Sequence, residues 1–258
     1  MGLDFDRNSW NVRTDHRGRT RMVRLRTTNH RPLIDIALLR SRAVATTMIA
    51  QFSSQAAVVI QFVLLAFIVQ TPLALGVTYG FGGDAGDMAR ITVPGGILAV
   101  AAGFLVGYVS SRTGPRLPAC VGFLLMTVGS ALLAFAHSTF APTVLAYCIF
   151  AFGSGLVMAA IPNLVIAATP VQLQAVTASS VNVVGSLGSA VAVQITFAIL
   201  ALNINTVAAG QPIYSGTGFT TVYIIAAGTA LTGLVAAVLM PQGRGRPFIR
   251  MPQVADQT

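Results

Sequence analysis

The sequence predicts an all-α membrane protein of six transmembrane helices, on three observations. No residue between Arg116 and Arg244 is Asp, Glu, Lys or Arg, and the stretches 43–83 and 91–111 are equally free of them. The chain is 54% hydrophobic and 9% charged over 258 residues, with a mean hydropathy of +0.74. A soluble fold of this size needs charged surface along its whole length, whereas here charge gathers in an Arg-rich head, two short loops and a tail.

The chain divides by composition into an Arg-rich N-terminal segment (1–42), a transmembrane domain (43–243) and a short tail (244–258). All 16 basic residues are Arg and no Glu is present, a bias expected of a GC-rich bacterial genome. In a soluble protein the net charge of +9 would suggest a nucleic-acid partner; in a membrane protein Arg collects on the cytoplasmic side, and the head carries no recognisable nucleic-acid module. The opening MGLDFDRNSW begins with acids and has no apolar core, so it does not read as a signal peptide. The run RGRTRMVRLR and the following RPLIDIALLRSR suit either a segment lying on anionic headgroups or a disordered basic tail.

Cutting the apolar runs at their turn signals gives spans at 43–69, 91–111, 117–136, 143–168, 175–202 and 218–240, each near the ~20 residues that cross a bilayer core. Continuous runs of this length do not alternate as barrel strands would, and a helix satisfies its own backbone in lipid. Connections are short at 112–116 and 137–142 and longer at 70–90 and 203–217, with Gly and Pro marking most of them. Arg31, Arg40, Arg42, Arg112, Arg116, Arg244, Arg246 and Arg250 fall on one side and only Arg90 on the other, beside Asp84 and Asp87. Both termini are therefore expected in the cytoplasm of a cell with a bacterial inner membrane.

Stepping about 100° per residue places polar side chains on one face of three helices. The first span carries Thr47, Gln51, Ser54, Gln55 and Gln61 within a third of its circumference, a face unsuited to lipid. The fourth places Tyr147, Ser154, Met158 and Pro162 in one stripe. The fifth carries Ser179, Asn182, Ser186, Ser189 and Thr196, with Gly185 and Gly188 beside them. Long Gln side chains are not needed for close helix approach, so Thr47, Gln51, Gln55, Gln61, Tyr147 and Met158 are candidate walls of a substrate cavity. Small residues do permit close approach, so Asn182, Gly185, Gly188 and Ser189 are read as helix packing. Pro94 and Pro162 each interrupt a span and mark either a static kink or a bend used in gating.

Several classes of activity are not supported. No ionisable residue lies deep in a span, so no coupling residue is visible, and His137 stands at a span's outer end. No Ser and His pair, Asp pair or metal-ligand spacing points to catalysis, a metal or another cofactor. Cys120 and Cys148 sit in apolar runs as small buried side chains.

The residues GYVSSRTGPR (107–116) resemble the Gly-x-x-x-Asp-Arg-x-Gly-Arg-Arg loop between the second and third helices of each half of the major facilitator superfamily. Gly107, Arg112, Gly114 and Arg116 match, Ser111 stands in place of Asp, and Pro115 replaces a basic residue. Further stretches resemble the carboxyl-terminal half of the superfamily's multidrug-exporter branch, the drug:proton antiporters with about fourteen helices. RPLIDIALLRSR is similar to the lead-in to that half, QTPLALGVTYGFGGDAGDMARITVPGG to its first outer loop, GSGLVMAAIPNLVIAATP to its fourth helix and ASSVNVVGSLGSAV to its fifth. In the last of these, Asn182, Leu187 and Gly188 match, while many relatives carry Arg where this chain has Gly185. The likeness runs from Pro32 to Gly243; residues before Arg31 resemble nothing in the branch.

The resemblance implies one half of an alternating-access exporter of lipophilic or amphipathic small molecules, with acidic coupling residues lying mostly in the other half. The implied partners are the lipid bilayer and either an amino-terminal half-transporter or a second copy of the chain. A non-transporting membrane scaffold with a basic lipid-binding head, or an inactive remnant, is the competing reading.

Overall fold

The computed structural model describes residues 12–14, 20–22, 42–71, 80–136, 138–169, 171–208 and 211–240. It divides the chain into two units, Met1–Ile36 and Ala37–Thr258. In the first, β1 (Val12–Thr14) pairs antiparallel with β2 (Thr20–Met22). A two-stranded pair in this head was not among the sequence expectations.

Among the described residues the second unit has six helices, each long and apolar enough to cross a membrane: α1 (Arg42–Gln70), α2 (Ala85–Thr113), α3 (Arg116–Ala136), α4 (Phe140–Ala168), α5 (Gln174–Leu202, entered through a short 3-10 turn at Val171–Leu173) and α6 (Gly216–Leu239). They match the six expected spans, with one shifted start. α2 begins at Ala85, not at 91, because Asp84 caps it: its side chain accepts from the Gly86 and Asp87 amides at 2.8 and 3.1 Å, and Asp87 returns the capping bond. The charged pair Asp87–Arg90, 2.6 Å apart, thus belongs to the first turns of a helix and not to a loop. Arg42, Arg112 and Arg116 likewise stand at helix ends.

Between α5 and α6 lies an antiparallel hairpin absent from the expected elements, β3 (Ile204–Ala208) and β4 (Gln211–Tyr214). Ile204, Thr206, Val207, Ile213 and Tyr214 are the β-branched and aromatic types that favour strands, on either side of a two-residue Ala-Gly connection. Tyr214 anchors the hairpin: its ring meets Phe67 of α1 edge-on at 5.6 Å and Phe219 of α6 at 6.4 Å, and Phe67 in turn meets Phe197 of α5 at 6.0 Å.

In space the helices follow one another in the order α2, α4, α3, α6, α1, α5, with a lesser contact between α1 and α4. The tightest seam is α3 on α4. A methyl carbon placed on Gly122 would lie 2.7 Å from the Gly153 carbonyl oxygen, and one on Gly129 would lie 2.6 Å from the Phe150 nitrogen, so only glycine allows this approach. Phe123, Met126, Val157 and Ala160 fill one core, and Ile60, Leu64, Leu133, Phe219 and Tyr223 a second. The end helices α2 and α5 are left open: 22% and 28% of their apolar stretches are buried, against 56% for α1.

Candidate functional site

The seam between α1 and α5 brings Gln51 and Gln55 against the small residues of α5. Gly185 and Gly188 are buried there. A methyl carbon on Gly185 would lie 2.9 Å from Gln51 Nε2 and 3.1 Å from Gln55 Cγ, and one on Gly188 would meet the Phe52 carbonyl. The flat face of α5 therefore receives the two glutamines, which remain half-buried. Thr47 is buried and returns its hydroxyl to the Ala43 carbonyl at 2.8 Å, the usual way a helical Thr satisfies itself in an apolar setting. A bond that periodicity did not reveal ties α1 to α6, where the Ser53 and Thr232 hydroxyls lie 3.0 Å apart.

Gln61 is 1% exposed, and neither its amide nitrogen nor its oxygen has a hydrogen-bond partner among the described residues. An unpaired primary amide in an apolar interior costs about 1–3 kcal/mol on the scale of protein mutations. Tyr147 is half-buried where α4 meets α2, its ring so close to Gly95 that a methyl carbon there would lie 2.6 Å from Cε1. Met158 is 57% exposed, on the side of α4 that no helix of the bundle covers.

On α5 the stripe divides. Gly185, Gly188 and Thr196 point into the bundle, Ser189 is half-buried at its edge, and Ser179, Asn182 and Ser186 are exposed. Ser179 and Ser186 return their hydroxyls to the carbonyls one turn back, at 2.9 and 3.1 Å. The Asn182 amide has no partner among the described residues. An open groove of about 690 Å³ runs along this helix, bounded by Val59 of α1 and by Ser186, Ser189 and Gln194 of α5. No cluster of His, Cys, Asp or Glu suited to a metal occurs among the described residues.

The loop motif occupies the α2–α3 turn. Gly107 is exposed on α2, with nothing near its missing side chain. Gly114 ends α2 with φ at +80°, a conformation that L side chains rarely adopt, and its amide donates to the Ser110 carbonyl at 3.0 Å. Arg112 is exposed and lies over the Tyr108 ring at 4.7 Å. Arg116 reaches across to α6, donating Nε–H to the Ala237 carbonyl at 3.2 Å and a terminal N–H to the Val238 carbonyl.

The family profile described as Major Facilitator Superfamily matches residues 7–193. The chain belongs to the major facilitator superfamily. That is a superfamily of transporters and not of enzymes, and with six apolar helices the chain is a multi-pass protein of the lipid bilayer. The match begins at residue 7, within the stretch before Arg31 that resembles nothing in the exporter branch.

Solved structures of similar fold include two of POT family transporters, one in complex with a thioalcohol-conjugated peptide and one with 5-aminolevulinic acid. Each has a TM-score of 0.61 and 17% identity, covering 77% of this chain and 38% of that one. The inward-open xylose transporter XylE from E. coli is also similar, with a TM-score of 0.55, 16% identity, and coverage of 79% and 48%. At these identities the likeness is one of fold. The chain spans less than half the length of each of these transporters. Among curated proteins none matches.

Proposed function

We propose that the chain is the carboxyl-terminal six-helix half of a major-facilitator exporter of the drug:proton antiporter branch, moving lipophilic or amphipathic small molecules across a bacterial plasma membrane. In this reading segment 1–42 and tail 244–258 are cytoplasmic and flank the transmembrane domain 43–243. The observation that carries it is the exposed polar stripe Ser179, Asn182 and Ser186 on a 29-residue apolar helix. Facing hydrocarbon, an unpaired Asn side chain costs several kcal/mol, so this face calls for water or protein and not lipid. A second six-helix unit laid against α5 and α2 supplies both, covering the open helices and enclosing the groove beside Ser186 and Gln194.

The partner unit is an amino-terminal half-transporter or a second copy of the chain. Gln51, Gln55 and Gln61, with Tyr147 and Met158, are assigned to the path of the solute, and Asn182 to the contact between the two units. Rocking of one unit against the other then exposes the path to each side in turn. Gln51→Ala and Gln55→Ala are expected to change which of a panel of fluorescent lipophilic dyes is expelled from cells expressing both units, at unchanged protein level. An unaltered dye profile would remove these residues from the path.

A further inference from the structure

On the side of the α1–α5 seam away from the polar stripe, the bundle is not closed. Stepping about 100° per residue along α5, Gly188, Val191 and Ile195 stand opposite Asn182 and Ser186. On this apolar side α5 and α6 touch only lightly. Between them lies a slot with a cavity of about 50 Å³, floored by Phe52, Ala56 and Ile60 of α1 and walled by Gly188 and Ile195 of α5 and Ile225 of α6. Gly188, Ala56 and the neighbouring Ala192 have too little side chain to fill it. Thr229, the polar member of the lining, turns its hydroxyl back to the Ala226 carbonyl at 2.8 Å, so the walls are apolar in effect.

We propose that the α5–α6 slot binds one acyl chain of a membrane phospholipid. Its depth and its size both choose this occupant. The lining comes from the middle of every span it touches: residues 52–60 of Arg42–Gln70, 188–195 of Gln174–Leu202 and 225–229 of Gly216–Leu239. At that depth the surrounding medium is hydrocarbon, and a phospholipid presents its acyl chains there and not its headgroup. A further helix, about 10–12 Å across, is too broad for the slot, whereas an acyl chain is a single file of methylenes. Side chains that line an unfilled gap forfeit dispersion contacts, and a chain end held by three helices restores them. The site exists whether or not the carrier moves a solute.

Brominated acyl chains quench tryptophan at contact, so a reporter on the rim detects the occupant. Trp10 is the chain's own tryptophan, and Trp10→Phe removes it. In that background Ile195→Trp or Val191→Trp places the reporter at exposed rim positions, and Leu231→Trp places a control on α6, exposed and about a third of a turn from Ile225. The full chain is delipidated in a steroid detergent, which has no acyl chain, and brominated phosphatidylcholine is titrated in. Both rim reporters are expected to reach half quenching with on the order of tenfold less lipid than the control and to recover on adding unbrominated lipid. Ala192→Leu, which fills the slot, is expected to bring the rim reporters to the control's titration, with helix content by circular dichroism unchanged. Identical titrations at the rim and control positions overturn the proposal, as does low-lipid quenching that survives Ala192→Leu. Rim reporters that lipid never quenches, but that become shielded as chains are concentrated into dimers, make a second copy the occupant and also overturn it.

Discussion

Arg116, the first residue of α3, donates its Nε–H to the main-chain carbonyl of Ala237 in the last turn of α6, at 3.2 Å. The last carbonyls of a helix have no intrahelical donors and carry the negative end of its dipole, so a guanidinium there satisfies both the hydrogen bond and the charge. A loop motif that reads in sequence as a tight turn thereby joins the second, third and sixth helices at one end of the bundle. Arg116→Gln is expected to lower the unfolding free energy in detergent by about 1 kcal/mol, with Arg116→Lys losing less. Urea titration followed by circular dichroism measures it, and identical midpoints for all three proteins would leave the contact without energetic weight.

The α1–α5 seam gives a graded prediction. Gly185→Ala meets side-chain atoms of Gln51 and Gln55, which can turn about their own bonds, and is expected to cost less than Gly188→Ala, which meets the fixed Phe52 carbonyl and is expected to cost about 1–3 kcal/mol. Asn182→Leu, on the exposed side of the same helix, leaves the stability of the chain alone within about 0.5 kcal/mol. Thermal denaturation of the three variants distinguishes them, and equal losses at Gly185 and Gly188 would contradict the seam's geometry.

Gln61 separates stability from function. Because its buried amide is unpaired among the described residues, Gln61→Met removes an unsatisfied polar group for a side chain of similar length. The variant is expected to be as stable as the parent or more so, by up to about 1–3 kcal/mol, while dye export by the assembled carrier falls. A stabilised variant with full export would show that the amide has no part in the solute path.

At the opposite end of the bundle, Tyr214→Ala removes the edge-on contacts with Phe67 and Phe219. Aromatic pairs contribute about 0.5–1.5 kcal/mol each beyond burial, so a stability loss of about 2 kcal/mol and faster protease cutting between β3 and β4 are expected. Unchanged cutting would mean that the hairpin is held by other contacts.

The six spans were legible because lipid imposes a one-dimensional rule: a long run without charge is a helix that crosses. The start of α2 was not, since Asp84, Asp87 and Arg90 read as loop until their capping geometry is seen. The β3–β4 hairpin was signalled only by a few β-branched residues around Ala-Gly, a local signal weak beside the apolar runs. On α5, helical periodicity grouped Asn182 with Gly185 and Gly188, but a wheel gives a direction and not a neighbour. Contact with α1 is what separates the buried glycines from the exposed amide. The reach of Arg116 to Ala237 spans 121 positions of sequence and leaves no trace in either segment alone.

The proposed half-carrier needs a second six-helix unit to move a solute. Its most direct test is flux of a fluorescent lipophilic dye in proteoliposomes reconstituted at a mean of one chain per vesicle, at high chain density, and with an amino-terminal six-helix half added. No flux is expected from vesicles holding a single chain, and flux is expected once a second copy or the complementary half shares the vesicle. Transport by single-chain vesicles, at the same rate per chain as at high density, would contradict it.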